Sequence, residues 1–258
     1  MNKLLNVYKP VNLTPFQVIQ QLREQYPEYK DKKIGYAGRL DPLAHGVLVL
    51  MIGEATKERE KHQALTKEYE FEALFGIETD SYDVLGLLRN LQTGKMPEDF
   101  EKQISEFIKK KIGNQMQTYP PFSSKAVEGK PLFWWAKQNR ISEITIPTRE
   151  ITIEHFELLS IGSMTGEQLR GKVKNLLQTV QGDFRQEDIW LRWQNFFVTN
   201  ITNTFITARF RITCSSGTYV RSLVHDLGKE LTLGAIATEI LRTKVGQYRL
   251  EDALKITG

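Results

Sequence analysis

The chain has 258 residues, 40% of them hydrophobic, and carries 35 Lys and Arg against 31 Asp and Glu for a net charge of +4. That length allows one large domain or two small ones with an ample core, and the charge is compatible with nucleic acid without demanding it. A single cysteine, Cys214, excludes an internal disulfide; four scattered histidines leave no zinc-ligand spacing, and no apolar run reaches signal-peptide or membrane-spanning character.

A cytoplasmic protein without metal or membrane attachment is therefore the starting expectation. Thr14 and Gln17 form a capping-box pattern with Pro15 at the first helical position, which predicts a helix over about 15–25. The segment from Gly35 to Lys57 reads GYAGRLDPLAHGVLVLMIGEATK. Its glycines permit close approach of a large ligand, and Pro42 holds Asp41 out of helical angles, so a carboxylate is presented from a stiff corner. Leu-Asp-Pro is also how an ordinary turn is built, and both readings stand at this point. Val47 to Ile52 reads as a short strand buried on both faces.

From Lys67 to Phe75, Tyr69, Phe71, Ala73 and Phe75 alternate with Glu68, Glu70 and Glu72, the pattern of a half-buried strand. A loop through Asp80 and Asp83 follows, and then Phe100, Ile104, Phe107, Ile108 and Ile112 fall at helical spacing over 97–112, stopped by Gly113. The next stretch, about 115–145, is dense in proline, aromatics and lysine. It suits either stacking on bases or packing of Trp134 and Trp135 on a core. Two apolar stripes, Leu169 to Val180 and Ile189 to Phe197, flank Gly182-Asp183 and predict a helical hairpin. Arg170, Lys172, Lys174, Arg185, Arg192, Trp190 and Trp193 suit an auxiliary RNA surface, although packing of two amphipathic helices explains the same pattern. Finally, Ile206 to Cys214 alternates as a strand, and a helix begins near Thr218 with Arg221 in its first turn, where the macrodipole disfavours a cation. A negative partner would account for that placement.

The G-x-S-x-G elbow, the phosphate loop and the dinucleotide fingerprint are absent from the sequence. A glycosidase using a pair among Asp41, Asp80 and Asp83 stays open.

The segment Gly35 to Lys57 resembles the signature of the TruB family of tRNA pseudouridine synthases. Lys9-Pro10, Lys67-Glu68-Tyr69, Thr79 to Asp83, Tyr119 to Ser123 with Gly129-Lys130, Cys214 to Arg221 and Leu241-Arg242 resemble that family's blocks in the same order, from about Asn2 to Leu250. The resemblance implies an α+β fold with a mixed, largely antiparallel sheet flanked by helices. It implies isomerisation of the uridine at tRNA position 55, in the TΨC loop, by base flipping and aspartate-dependent glycosidic cleavage without cofactor. Asp41 matches the catalytic carboxylate, Arg221 its arginine partner, and Tyr69 the tyrosine that stacks on the target base and serves as general base. Asp83 matches a residue near the flipped nucleotides, and Leu241 an apolar pocket wall. Lys9, Lys67 and Lys130 become candidates for phosphates.

Tyr36 replaces the family's usual histidine, Arg39 is a candidate RNA contact, and Asn12 stands where glycine is frequent. No repeat, low-complexity tract or linker divides the sequence, so a single catalytic domain over 1–258 is expected, acting as a monomer. It would contain an RNA-clasping thumb at 115–145, mobile without RNA, and a helical hairpin inserted at about 164–198. No C-terminal PUA domain is expected. The alternatives are action on another RNA, or a catalytically weak tRNA-binding or tRNA-folding protein.

Overall fold

The computed structural model describes residues 3–91 and 97–256; the ends of the expected 1–258 domain, Asn2 included, lie outside the described residues. β1 (Lys3–Lys9) leads into α1 (Pro15–Gln25), β2 (Ile34–Tyr36) and β3 (Ala44–Ile52). After α2 (Arg59–Gln63) come β4 (Lys67–Phe75) and the short pair β5 (Ile77–Thr79) and β6 (Leu88–Leu91). α3 (Phe100–Lys111) and β7 (Gly113–Thr118) precede a small unit of β8 (Ala126–Val127), β9 (Lys130–Pro131) and α4 (Leu132–Lys137). Then follow β10 (Thr148–Thr165), α5 (Gly166–Thr179), α6 (Gln186–Asn200) and β11 (Thr204–Cys214). α7 (Val220–Glu230), β12 (Ala235–Val245), β13 (Tyr248–Arg249) and β14 (Leu254–Lys255) complete the described chain.

The main sheet runs β14-β1-β3-β12-β4-β11-β10-β7, with β2 also on β3 and β13 also on β12. Within it β1 with β14 and β3 with β12 are parallel, and the remaining pairs are antiparallel. The expected mixed, largely antiparallel sheet with helices around it is what the chain forms. Among the described residues no helix is long and apolar enough to cross a membrane.

Local rules explain most boundaries. Thr14 and Gln17 make the reciprocal capping box of α1, with Pro15 at its start. β3 is buried almost throughout, as a strand between β1 and β12 must be. It begins at Ala44, three residues before the apolar run read as strand, because Ala44 to Gly46 pair with Ile240 to Arg242. α7 starts at Val220, two residues later than its sequence pattern suggests. Buried Gln117 accounts for this: its side chain accepts from Tyr219 N–H at 2.8 Å and donates to Tyr219 C=O at 3.0 Å.

On β4, Phe71 stacks on Phe210 of β11 at 5.2 Å between centroids, and Leu223, Val224 and Leu227 of α7 join the same core. Each aliphatic side chain buried there is worth about 1.5–3 kcal/mol relative to exposure. α5 and α6 form the expected hairpin. Gly166 lets it close, since a Cβ at that position would lie 2.1 Å from the Asn200 carbonyl oxygen.

Candidate active site

Asp41 sits in the loop between β2 and β3, and Arg221 reaches it from the first turn of α7. Arg221 Nη2 lies 2.7 Å and Nε 2.8 Å from the same oxygen, Oδ2 of Asp41. The other oxygen, Oδ1, is the one the guanidinium leaves unclaimed. Arg221 is buried, whereas the Asp41 side chain is 31% exposed. The first-turn cation thus finds its negative partner, 180 residues away in sequence.

Arg221 ties more than one loop together. Nη1 donates to the Ser81 carbonyl at 2.7 Å and Nη2 to the Phe122 carbonyl at 3.1 Å. Asp83 Oδ2 stands 3.6 Å from Nε. Burial works against the Arg221 charge, but Asp41 and Asp83 more than offset it and raise its pKa above the ordinary arginine value. Burial also pushes the Asp83 carboxyl up to about 6, against the pull of Arg221 and the Ser81 hydroxyl. Ser81 donates to Asp83 at 2.6 Å and Leu85 N–H at 2.9 Å, so Asp83 is a sealed internal acceptor. Asp83, expected near the flipped nucleotides, thus lies behind Arg221 with its carboxylate engaged inside the RNA-free protein. The paired-carboxylate alternative fails for a related reason: Asp83 is enclosed, and Asp80 is claimed by Arg185 at 2.6 Å.

The loop itself is fixed from beneath. Arg242 donates to the Val47 carbonyl at 2.7 Å, to Gly38 at 3.2 Å and to Arg39 at 3.4 Å. Gly46 has φ +105, and a Cβ there would lie 2.2 Å from the Arg242 carbonyl oxygen, so glycine alone permits the strands to meet behind Asp41. Asn12 adopts φ 75, the conformation a glycine would take there, and donates its N–H to Pro42 C=O at 2.8 Å. The substitution at that position therefore keeps the turn.

Lys9 and Lys67, expected at phosphates, lie inside the RNA-free protein. Both are buried, Lys9 with Nζ on the Pro10 carbonyl at 2.8 Å and Lys67 with Nζ on the carbonyls of Gln63 and Leu65. Desolvation lowers Lys9 to about 7 against the pull of Asp41, and lowers Lys67 to about 8 with help from Arg242. In this arrangement both ammonium groups serve backbone acceptors rather than the surface, which offsets part of the cost of enclosing them.

Tyr69 is buried on β4, opposite Arg242 of β12. Burial raises its phenol, Arg242 opposes the rise, and Asp41 is near enough to add to it. Leu241 pairs with Glu70, so strand alternation sends it to the face opposite Tyr69 and Arg242. Leu241, expected as an apolar pocket wall, is therefore off the Tyr69 face. Ile240, one residue earlier, is buried on the Tyr69 face in the core cluster that also holds Leu40, Leu43 and Tyr69.

Arg39 and Lys130 are exposed, with Lys130 5.5 Å from the Trp134 ring centroid. Tyr36 packs on the cluster that holds Val7, Leu48 and Leu50. In the thumb-like stretch Trp135 is buried, and its indole donates to the Val127 carbonyl at 3.1 Å. Trp193 of the hairpin is fully enclosed, Lys172 pairs with Glu72 and Arg185 with Asp80, so those three do not line an open RNA surface. Sequence reasoning missed Arg242 and Gln117 as parts of the scaffold. Arg242 lay inside the Leu-Arg block, but its role as an anchor for the Asp41 loop had no local signal.

The model for "TruB family pseudouridylate synthase (N terminal domain)" matches residues 27–180. The chain is 31% identical over 251 residues to a tRNA pseudouridine synthase B of Bacteroides thetaiotaomicron, spanning 95% of this chain and 86% of that protein. It is 28% identical over 256 residues to a tRNA pseudouridine synthase B of Aquifex aeolicus, spanning 99% of this chain and 72% of that one. Among solved structures it superposes on a chain of a Cbf5-Nop10-Gar1 complex with TM-score 0.59 and 21% identity, a likeness of fold. That match covers 98% of this chain and about half, 51%, of the solved one.

Proposed function

The chain belongs to the TruB family of pseudouridylate synthases, and we propose that it isomerises uridine to pseudouridine in tRNA, at position 55 of the TΨC loop. The observation that carries the chemistry is the partly exposed Asp41 carboxylate held by buried Arg221. In this isomerisation the N1–C1′ bond breaks and a C5–C1′ bond forms, C5 gives up a proton and N1 gains one. The product has the composition of the substrate, so the reaction itself consumes no oxidant, reductant or co-substrate.

Asp41 is the catalytic residue in this reading. Its Oδ1 edge faces the ribose of an extruded nucleotide, while Arg221 fixes the carboxylate in one orientation and prevents it from turning toward solvent. Tyr69 forms the aromatic wall on which uracil rests. Because burial raises its phenol, the hydroxyl is protonated at neutral pH, and base catalysis by Tyr69 requires the proton to leave as the sugar reacts. Ile240 closes the apolar side of the same pocket.

RNA contact falls to the exposed groups: Arg39 beside the catalytic loop, Lys130 with Trp134, and Lys125, whose Nζ lies 5.7 Å from the Tyr119 ring centroid. Tyr36 takes an indirect part, by setting the strand before the loop. The reading extends to a single catalytic domain working as a monomer.

The test compares wild type with Asp41→Asn on an unmodified tRNA and on its isolated TΨC stem-loop. Pseudouridine at the loop uridine from wild type only is the expected result. A folded, RNA-binding wild type that forms none would overturn the reading.

A further inference from the structure

The α5–α6 hairpin, although Gln181 to Asp183 at its loop are exposed, is tied by side chains to segments that also hold Asp41 and Arg221. On one flank Arg185 makes a two-pronged contact with Asp80, Nη1 to Oδ2 at 2.6 Å and Nη2 to Oδ1 at 3.2 Å. Asp80 also accepts Leu87 N–H at 2.8 Å and immediately precedes Ser81, whose carbonyl receives Arg221. The same Arg185 guanidinium lies 4.3 Å from the centre of the Phe122 ring, and the Phe122 carbonyl receives Arg221 Nη2. Phe122 is thus held at its backbone by Arg221 and at its ring by Arg185. A second tie runs from Lys137, at the end of α4, to Asp183, with Nζ 2.8 Å from Oδ2 and 2.7 Å from the carbonyl oxygen.

On the other flank Asn12 donates to Thr179 and Gln17 to Gln181 at 2.9 Å, while Asn12 N–H holds Pro42, the residue after Asp41. Arg185 itself has φ 61 and ψ 35, a left-handed backbone that L-residues rarely adopt. Two paired contacts on its side chain give a physical reason for that conformation to persist.

We infer that Arg185 is a positioning residue: from the α5–α6 hairpin it presses Phe122 and the Asp80–Asp83 loop onto Arg221, and so sets the 119–137 segment against the catalytic carboxylate. An arginine fits this task because one planar group serves a carboxylate through its edge and an aromatic ring through its face, which an ammonium does not. The inference rests on the proposed pseudouridine synthesis for its catalytic consequence, and on geometry alone for its structural one. It replaces the role of the hairpin as an outer RNA surface with that of an internal brace.

The experiment uses the full chain with two separate readouts, on wild type, Arg185→Ala and Arg185→Lys. In RNA-free protein, amide hydrogen exchange over 119–137 should quicken by about tenfold or more in Arg185→Ala, with β4 and β11 unchanged. With a TΨC stem-loop RNA, the saturating single-turnover rate should fall on the order of a hundredfold while Kd stays within about threefold, because the loss is one of placement. Arg185→Lys should fall between, keeping charge but losing the fork.

Unchanged exchange over 119–137 overturns the brace, whatever the activity. A weakened Kd with an unaltered saturating rate overturns it in favour of direct RNA contact. If wild type forms no pseudouridine, the functional reading fails, and the exchange measurement still decides the brace. Should Arg185→Ala not fold, Asp183→Asn and Lys137→Met take its place. Each should quicken exchange over 119–137, and no change in both overturns the inference.

Discussion

Arg221 and Asp41 make an unequal pair: the guanidinium is 3% exposed at its side chain and the carboxylate 31%, with 2.7 Å between Nη2 and Oδ2. The cation is built into the protein, through Ser81, Phe122 and Asp83, and the anion is the part left facing outward. Such an arrangement fixes a carboxylate without covering it, which is what a group that must meet a large ligand requires.

This asymmetry separates the effects of two substitutions. Arg221→Ala strands Asp83 without its cation and frees two carbonyls, and truncating one member of a buried pair costs about 3–5 kcal/mol. Asp41→Asn changes a partly exposed group and should cost about 1 kcal/mol or less. Urea denaturation should therefore show a large drop for Arg221→Ala and a small one for Asp41→Asn, although both should abolish pseudouridine formation. Comparable destabilisation by the two would mean that Asp41 is a structural anion.

Lys9 sets a pH dependence of stability. Its pKa is about 7 in the fold and near 10.5 in an unfolded chain. Between those values the unfolded chain holds the extra proton, so this group's contribution makes stability rise as pH increases from 7 to 10.5. Lys9→Met removes the penalty for enclosing a charge. The variant should gain on the order of a few kcal/mol over wild type at pH 7 and below, with the difference fading toward pH 10. Denaturant midpoints at pH 6, 8 and 9.5 measure it, and a pH-independent difference would contradict the assignment.

Asp83 acts in the opposite direction. Its folded pKa of about 6 exceeds the ordinary 3.8, so the folded chain holds the extra proton between those values. Stability contributed by this group is complete below pH 3.8 and declines as pH rises through 6. Asp83→Asn keeps an oxygen for Ser81 and Leu85 without the charge, and should flatten that decline. The stability difference between variant and wild type, followed from pH 4 to pH 7, should shift in favour of the variant by on the order of 3 kcal/mol. A constant difference would show that Asp83 is ionised throughout.

How legible the site was in the sequence depends on the range of the interaction. The capping box at Thr14, the alternation of β4 and the stiff corner at Asp41 are set by neighbours within a few residues, and each appears in the structure. The partner of Arg221 was anticipated only in sign, and the family resemblance supplied its identity. The burial of Lys9 and Lys67 had no local mark, because a lysine that caps backbone carbonyls inside a protein is spelled like one in water. The contact of Arg185 with Asp80 spans 105 residues and rests on the path of a hairpin that local pattern predicts without placing.

Leu241, expected as the pocket wall, stands one residue from Ile240, and strand geometry makes that single step consequential. β12 is irregular against β4 between Ala237 and Glu239 and again between Arg242 and Lys244, so the face of each residue follows from where the bulges fall. Ile240 then shares a face with Tyr69 and Arg242, while Leu241 pairs with Glu70 and, in parallel, with His45. Ile240→Ala should cost about 2–5 kcal/mol by opening a cavity beside the proposed uracil wall. It should also lower the saturating rate on a TΨC stem-loop more than it weakens binding. Leu241→Ala, on the half-buried face, should cost about 1 kcal/mol and leave the saturating rate near wild type. Single-turnover kinetics on both variants decide the matter, and a rate defect confined to Leu241→Ala would return the pocket wall to that residue.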